Sequence, residues 1–252
     1  METNSPVPSD TNQPHPVASL QAAMRRMHDP WGGVLCLDFA NTVEPRGGPS
    51  PAPPADVALR DELRSYDDLV AWTARMGALS VEAATALLTS ATQDSSGAQR
   101  VFARGIALRE AIYRIFWATA HQQPPDDADL AILAHAYADG AAHAALVASA
   151  ARATWRWPED GRDLGRPLWP IAWSATELLT TGDLQRVKIC PGVPGQAVPC
   201  AWLFYDATRS RTRRWCSMVD CGSAVKARRQ SERRRTARSG HKESARSGGS
   251  PG

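Results

Sequence analysis

The chain has 252 residues, 43% of them hydrophobic, enough for one mid-sized domain and a small appendage. No run of 18 apolar residues occurs, which excludes a membrane-spanning helix, and the opening METNSPVPSDTNQPHPVAS has neither the basic nor the apolar part of a secretory signal. The expected setting is the cytoplasm, without membrane contact, where five cysteines are a poor disulfide framework.

The net charge of +3 hides an asymmetry. Residues 209–252 hold 13 Lys/Arg against 3 Asp/Glu, a balance of +10. Residues 1–208 hold 16 against 23, a balance of −7. An acidic body with a basic end suggests a polyanion-binding segment on a separate globular domain, the alternative being a solvated basic tail.

Residues 1–18 are rich in Pro, Ser, Asn and Thr, a composition that predicts disorder. Between 30 and 44 the apolar Val34, Leu35, Leu37 and Phe39 read as a buried strand or extended segment entering a helix. Residues 45–57, PRGGPSPAPPADV, exclude a regular element because proline removes donors and fixes φ.

Helices follow. Ser65 caps one that ends at Gly77, and Ser80 caps a second, VEAATALLTSA. The longest runs from about Ala98 to His121, with Phe102, Ile106, Ile112, Ile115, Phe116 and Thr119 on one face and Pro124–Pro125 beyond its end. Asp126 or Asp127 starts another. Residues 144–157 are ambiguous between an alanine-rich helix and a strand ending in TWRWP. Leu168–Thr180 is amphipathic and closes at Gly182, after which LQRVKIC alternates as a strand. The Gly/Ser-rich stretch 239–252 predicts disorder.

Four cysteines lie close together in sequence: Cys190, Cys200, Cys216 and Cys221, as C-x9-C and C-x4-C pairs separated by 15 residues. Zinc takes four thiolates in a tetrahedron, so one structural zinc per chain is the expectation, against the alternative of four unrelated buried thiols. WLFYD (202–206) reads as one arm of a hairpin, ATRSR as its turn and TRRW as the return. Cys221 opens a basic helix whose dipole favours a thiolate there. That topology is similar to treble-clef fingers. Cys36 sits in an apolar segment and reads as core.

From Cys221 to Arg238 the sequence is CGSAVKARRQSERRRTAR. Lys226, Arg229 and Arg233 share a face, Arg228 and Arg235 another, with Arg234 between them. Ala224, Val225 and Ala227 are left to dock on the zinc module. Arg209, Arg211, Arg213 and Arg214 add a second basic stretch. Arginine outnumbers lysine ten to one over 209–238, which favours bidentate contacts to phosphate or guanine. About six phosphate contacts would give a log–log salt slope of roughly −5.

RRWCSMVDCGSAVKARRQSERRR resembles the signature of CGNR-type zinc fingers, and LCLDFANT (35–42), LREAIYRIF (108–116) and SATELLT (174–180) resemble the ABATE domain that precedes this finger in bacterial proteins. The resemblance covers roughly residues 31–238. It implies a stress-linked bacterial transcription regulator, with Cys190, Cys200, Cys216 and Cys221 as zinc ligands and a DNA-binding finger. An N-terminal domain that senses an effector or mediates assembly is also implied. Ser223 and Ala224 stand where the family name has Asn-Arg, which removes a base-reading or phosphate-clamping arginine, and the first cysteine pair is wider than usual. Neither departure removes a ligand.

The expected fold class is α+β: a mainly helical domain with a few strands over 19–183, then a small four-cysteine finger of β-hairpin plus basic helix over 184–238. Asp38 and Asn41 could line a ligand pocket, or Asp38 could act as a catalytic carboxylate with Asn41 as its orienting donor. Arg109 and Glu110 could pair to that site, which gives an alternative reading as a small-molecule-binding protein or enzyme using LDFANT. The preferred reading is that Asp38, Asn41 or Thr42 caps the following turn. His121, His135 and His143 show no metal-converging spacing. Trp155, Trp157, Trp169 and Trp173 could line an aromatic pocket, with core packing as the default. No phosphate loop, serine elbow or HExxH pattern occurs, so enzyme function is not expected. The partner expected is double-stranded DNA, with RNA or a protein as the alternative, a homodimer as the assembly and an unknown small-molecule effector. A Cys216→Ser change is expected to unfold the C-terminal module and leave the helical domain standing.

Overall fold

The computed structural model describes residues 16–49, 58–150 and 152–247. Of the residues expected to be disordered, 1–15 and 248–252 lie outside the described residues, as do residues 50–57 of the proline-rich stretch, whereas Pro16, Val17 and Ala18 are helical, opening α1.

Eight α-helices and three two-stranded antiparallel ladders are present among the described residues. In chain order these are α1 (Pro16–Arg25), α2 (Leu35–Ala40), β1 (Val43–Glu44), β2 (Arg60–Asp61), α3 (Tyr66–Arg75) and α4 (Val81–Gln93). They continue with α5 (Ser95–Ala120), α6 (Asp127–Ala142), β3 (Ala145–Ser149), β4 (Arg152–Arg156), α7 (Trp169–Thr181), β5 (Val187–Ile189), β6 (Leu203–Tyr205) and α8 (Ser223–Ser247). The chain is therefore α+β and mainly helical, with the cysteine-bearing hairpin and basic helix at its C-terminal end.

The caps fall where the sequence put them. Ser65 Oγ accepts from Asp68 N at 3.2 Å and Ser80 Oγ from Ala83 N at 3.1 Å, each occupying a donor that the helix start leaves without an intrahelical partner. Gly77 follows α3 at φ 72°, and Ala78 N donates to Thr73 O, closing a left-handed C-cap. Asp126 starts α6 through Ala128 N at 2.8 Å.

Contacts divide the chain into two compact units. One comprises Glu62–Ile106, Ala136–Pro170 and the N-terminal residues up to Asp29. Its core holds Leu69, Val70, Trp72, Leu87 and Leu168. His143 stacks on the buried Trp169 at 4.3 Å, and Arg166 lies over the Trp157 ring at 5.4 Å. Residues 144–157 resolve as the β3–β4 hairpin, in which Trp155 is exposed. Trp169 and Trp173 lie one turn apart on α7, and Trp169 is buried as core packing predicts.

The second unit comprises Pro30–Asp61, Ala107–His135 and Ile171–Gly252. Here the segment between 30 and 44, expected as a buried strand or extended segment entering a helix, already forms the helix α2 over Leu35–Ala40, with Cys36, Leu37, Phe39 and Ala40 buried. Six mostly buried residues are too few to show a period, so their pattern could not distinguish the two. In this unit the buried face of α5 runs through Leu108, Ala111, Ile112, Ile115 and Phe116.

Two further expectations change. β6 pairs with β5, not with residues 212–215: Ile189 faces Leu203 and Val187 faces Tyr205. The hairpin therefore connects the first two cysteines, and the PGVPGQAVP stretch is its loop. The disorder expected from Ser239 onward is also not seen as far as Ser247, because α8 continues to that residue. Lys, Arg and Glu are strong helix formers, and a single glycine costs only about 1 kcal/mol.

Candidate metal centre and nucleic-acid interface

The cysteine sulfurs meet at the junction of hairpin and helix. Cys190 follows β5, its N–H donating to Trp202 O at 2.8 Å and its carbonyl accepting from Ala201 N at 3.1 Å. The chain then turns at Gly192, φ 68°, where a Cβ would stand 2.7 Å from Cys200 N, so this glycine lets the loop close on the second ligand. Cys200 O accepts from Arg46 N at 2.9 Å and Pro199 O from Gly47 N at 3.2 Å. Tyr113 Oη, from α5, donates to Ala201 O at 2.9 Å.

Cys216 precedes Ser217, which caps a π-helical turn, Met218–Gly222, by accepting from Val219 N and Asp220 N. Cys221 lies in that turn, which runs directly into α8. The basic helix α8 thus begins at Ser223, two residues after the last ligand, with the π-helical turn leading into it.

All four sulfurs lie within 4.8 Å of one another, with Cys200 to Cys216 at 3.7 Å and Cys216 to Cys221 at 4.0 Å. Tetrahedral zinc–thiolate bonds of about 2.3 Å put sulfurs about 3.8 Å apart, so the donor set and spacing fit zinc. Without a cation these thiols cannot all ionise: hydrogen bonds from Cys200 and Cys216 hold Cys190 low, and their hydrogen bonds to Cys190 push Cys200 and Cys216 up. A divalent ion removes that conflict. Trp202 and Phe204 are buried against the sulfurs, with Trp31 and Trp215 packed around them, an apolar jacket that keeps water from the thiolates. Cys36 stands apart, fully buried, its thiol pushed up to about 12 by burial.

The jacket is fastened by two ionic groups. Asp206 is fully buried and accepts from Lys188 Nζ at 2.6 Å, Thr208 N at 3.0 Å and Arg213 N at 3.0 Å. Burial pushes its pKa up, but these hydrogen bonds prevail and hold the carboxyl below the ordinary range. Arg213 donates to Trp31 O at 2.8 Å, Trp215 O at 3.0 Å and Cys216 O, and its guanidinium lies 4.7 Å from the Phe204 ring centre. Arg213, expected at a nucleic-acid surface, is instead a brace for the Cys216 knuckle; a planar five-donor group suits converging carbonyls as well as phosphates.

Asp38 and Asn41, the candidate pocket residues, are both consumed internally. Asp38 Oδ1 accepts from Gly32 N at 2.6 Å, and burial pushes this carboxyl up to about 6. A Cβ on Gly32 would stand 2.8 Å from Asp38 N, so only glycine permits the approach. Asn41 Nδ2 donates to Leu203 O at 2.7 Å and its Oδ1 accepts from Leu203 N at 2.9 Å. Thr42 Oγ1 donates to Phe39 O. These bonds are structural, as preferred, but those of Asp38 and Asn41 do not cap the next turn: Asp38 reaches back six residues, and Asn41 reaches the finger. Arg109, also buried, grips Asp61 with two bonds of 2.8 and 3.0 Å.

The remaining basic residues divide by what they touch. Arg211 pairs with Asp183 at 2.9 Å. Arg228 pairs with Glu232 at 3.0 Å and donates to Pro194 O in the cysteine loop. Arg214 is exposed beside the Trp215 ring. Lys226, Arg229, Arg233, Arg234 and Arg235 are exposed on α8. Of the three residues expected to dock, only Val225 is buried; Gly222 joins it, and Ala224 and Ala227 face solvent.

A family model, ABATE, described as "Putative stress-induced transcription regulator", matches residues 33–182. The chain belongs to the ABATE family. A second model, the CGNR zinc finger, matches residues 186–234 and encloses the four cysteines, so the sulfur cluster is the zinc site of a CGNR finger. No curated protein matches the chain. The ABATE match contains Asp38 and Asn41 and the CGNR match contains Leu203, so the Asn41–Leu203 pair joins the two matched regions. No helix among the described residues is long and apolar enough to cross a membrane.

Proposed function

We propose that this ABATE–CGNR protein is a zinc-dependent DNA-binding transcription regulator. One structural zinc per chain is held by Cys190, Cys200, Cys216 and Cys221. The observation that carries the reading is the convergence of four thiols at the start of a helix on which Lys226, Arg229, Arg233 and Arg234 are exposed. Those four cations have no partner among the described residues, and phosphate is the ligand their charge suits. The family description supports a regulatory role. The internal bonding of Asp38 and Asn41 argues for binding, not catalysis. The ABATE region then supplies sensing of an effector or assembly in the bacterial cytoplasm, and a finger this small would work as a homodimer, since one short helix reads few base pairs.

The test is selection of fragmented genomic DNA on the purified zinc-loaded protein, with the bound fragments sequenced. One discrete motif, lost with chelator, is the expected outcome. Uniform recovery that vanishes with salt would mean the finger grips phosphate without reading sequence. Retention of RNA but not duplex DNA would replace this reading with an RNA-binding one.

A further inference from the structure

α8 carries a second pattern beside its charge. Counting about 100° per residue from Ser223, the side chains of Ala227, Gln230 and Arg234 fall within about 40° of it, and Val219 lies one turn before it. This stripe is exposed along its length, and Val219, at 78% exposure, is the most exposed large apolar side chain among the described residues. Val225, buried at 4%, falls about 200° away, so the stripe lies nearly opposite the face that docks. Lys226, Arg229 and Arg233 flank it on one side, at about 60° to 120°, and Arg228 and Arg235 on the other, at about 120° to 140°. Glu232, the acidic residue of this stretch, sits on the docked side against Arg228.

A strip of small and polar side chains ending in Arg234, with the cationic row of Lys226, Arg229 and Arg233 beside it, has the arrangement that a helix needs in a major groove. Lys226, Arg229 and Arg233 reach one phosphate backbone, Arg228 being tied to Glu232 and Pro194 O, and the strip beside them faces base edges. Ser223 and Ala227 are small enough to let the helix axis come close. The Ser223 hydroxyl is already spent, donating to Met218 O at 2.9 Å, which leaves Gln230 as the amide on the strip. A glutamine amide matches the N6–N7 edge of adenine, and Val and Ala side chains suit the thymine methyl.

We propose that Gln230 reads an adenine, with Val219 and Ala227 packing on thymine methyls, so that the finger selects an A·T-containing site. This rests on the duplex-DNA reading above. It also means that Ser223–Ala224 in place of Asn-Arg shifts base readout along the helix and does not abolish it.

The experiment is selection from random duplexes with the full-length zinc-loaded protein, run in parallel with Gln230→Ala and Val219→Ser. Both residues are exposed, so zinc content and melting of the variants check folding directly. The expected result is a motif with a fixed adenine, preferred over guanine at least about tenfold by the native protein and not by Gln230→Ala. Replacing thymine by deoxyuracil in that motif should weaken the native protein, and weaken Val219→Ser less, since only Ala227 then packs on a methyl. If Gln230→Ala selects the same motif, or if the native protein binds duplexes without any motif, the assignment falls while DNA binding stands. If the native protein binds no duplex, both readings fall together.

Discussion

The side-chain amide of Asn41 pairs with the backbone of Leu203 as a neighbouring strand would, donating to its carbonyl at 2.7 Å and accepting from its N–H at 2.9 Å. Tyr205 N, two residues on, donates to Gly32 O at 2.7 Å. Because Leu203 and Tyr205 face non-hydrogen-bonded partners in the β5–β6 ladder, their backbone groups point to the outer edge. That edge is thus filled by residues 32 and 41.

Asn41→Ala leaves a buried N–H and C=O of Leu203 without partners, which should cost about 2–4 kcal/mol. Asn41→Asp should be at least as damaging at neutral pH, since a carboxylate can accept from the N–H but faces the carbonyl with nothing to donate. Chemical denaturation of the zinc-loaded protein measures both; a loss below about 0.5 kcal/mol, the scatter of neutral surface changes, would mean the edge is held by other bonds.

Asp38 gives a pH signature with a definite sign. Its folded-state pKa is raised to about 6 by burial, so the folded protein prefers the protonated form. Its contribution to stability is complete below the ordinary carboxylate range and is lost as pH rises to about 6. Asp38→Asn keeps an oxygen for Gly32 N and never ionises. The melting difference, variant minus native, should therefore grow in the variant's favour between about pH 4 and 6 and then level off. A flat difference would show that Asp38 ionises as freely folded as unfolded.

The cations sort into two experimental classes. Arg213→Ala removes donors from three carbonyls around Cys216 and should lower the melting temperature and the zinc affinity. Lys226→Ala should leave folding alone and reduce the salt slope of DNA binding by about one. Titrations at several salt concentrations separate the two; an unchanged slope for Lys226→Ala would remove it from the phosphate contacts.

Zinc removal is the broadest test. Metal binding displaces thiol protons, so affinity should rise with pH until all four thiols are ionised. Chelation, or Cys216→Ser, should also loosen residues 31–47, because Trp31, Val43, Arg46 and Gly47 bond to or pack against the finger. Hydrogen exchange of that segment with and without chelator checks this. Protection unchanged there would restore the simpler expectation of a finger that unfolds alone.

The zinc ligands and the helix caps could be read from sequence because both are written in short spacings: C-x9-C, C-x4-C, a serine before an apolar run, a glycine after it. The pairing of β6 could not, since residues 187–189 and 212–215 are both extended-compatible, and both meet Asp206, through Lys188 Nζ and Arg213 N. Nor could the role of Asn41, whose partner is 162 residues away. The nearest signal was the run of polar Asp38, Asn41 and Thr42 beside buried apolar residues, with a glycine pair just before. That pattern marked backbone work without naming the backbone. Arg213 looked like its neighbours Arg211 and Arg214 because charge alone carries no address.

The filled outer edge of β6 has a practical corollary for anyone who would work with the finger in isolation. A peptide beginning after residue 183 would hold all four thiols yet present a bare strand edge and an uncovered Trp202, the ring whose N–H donates to Val43 O at 2.9 Å. Open edges of that kind recruit whatever strand is nearest, including another copy. Self-association of the excised peptide would then report a missing neighbour and say nothing about how the intact chain assembles.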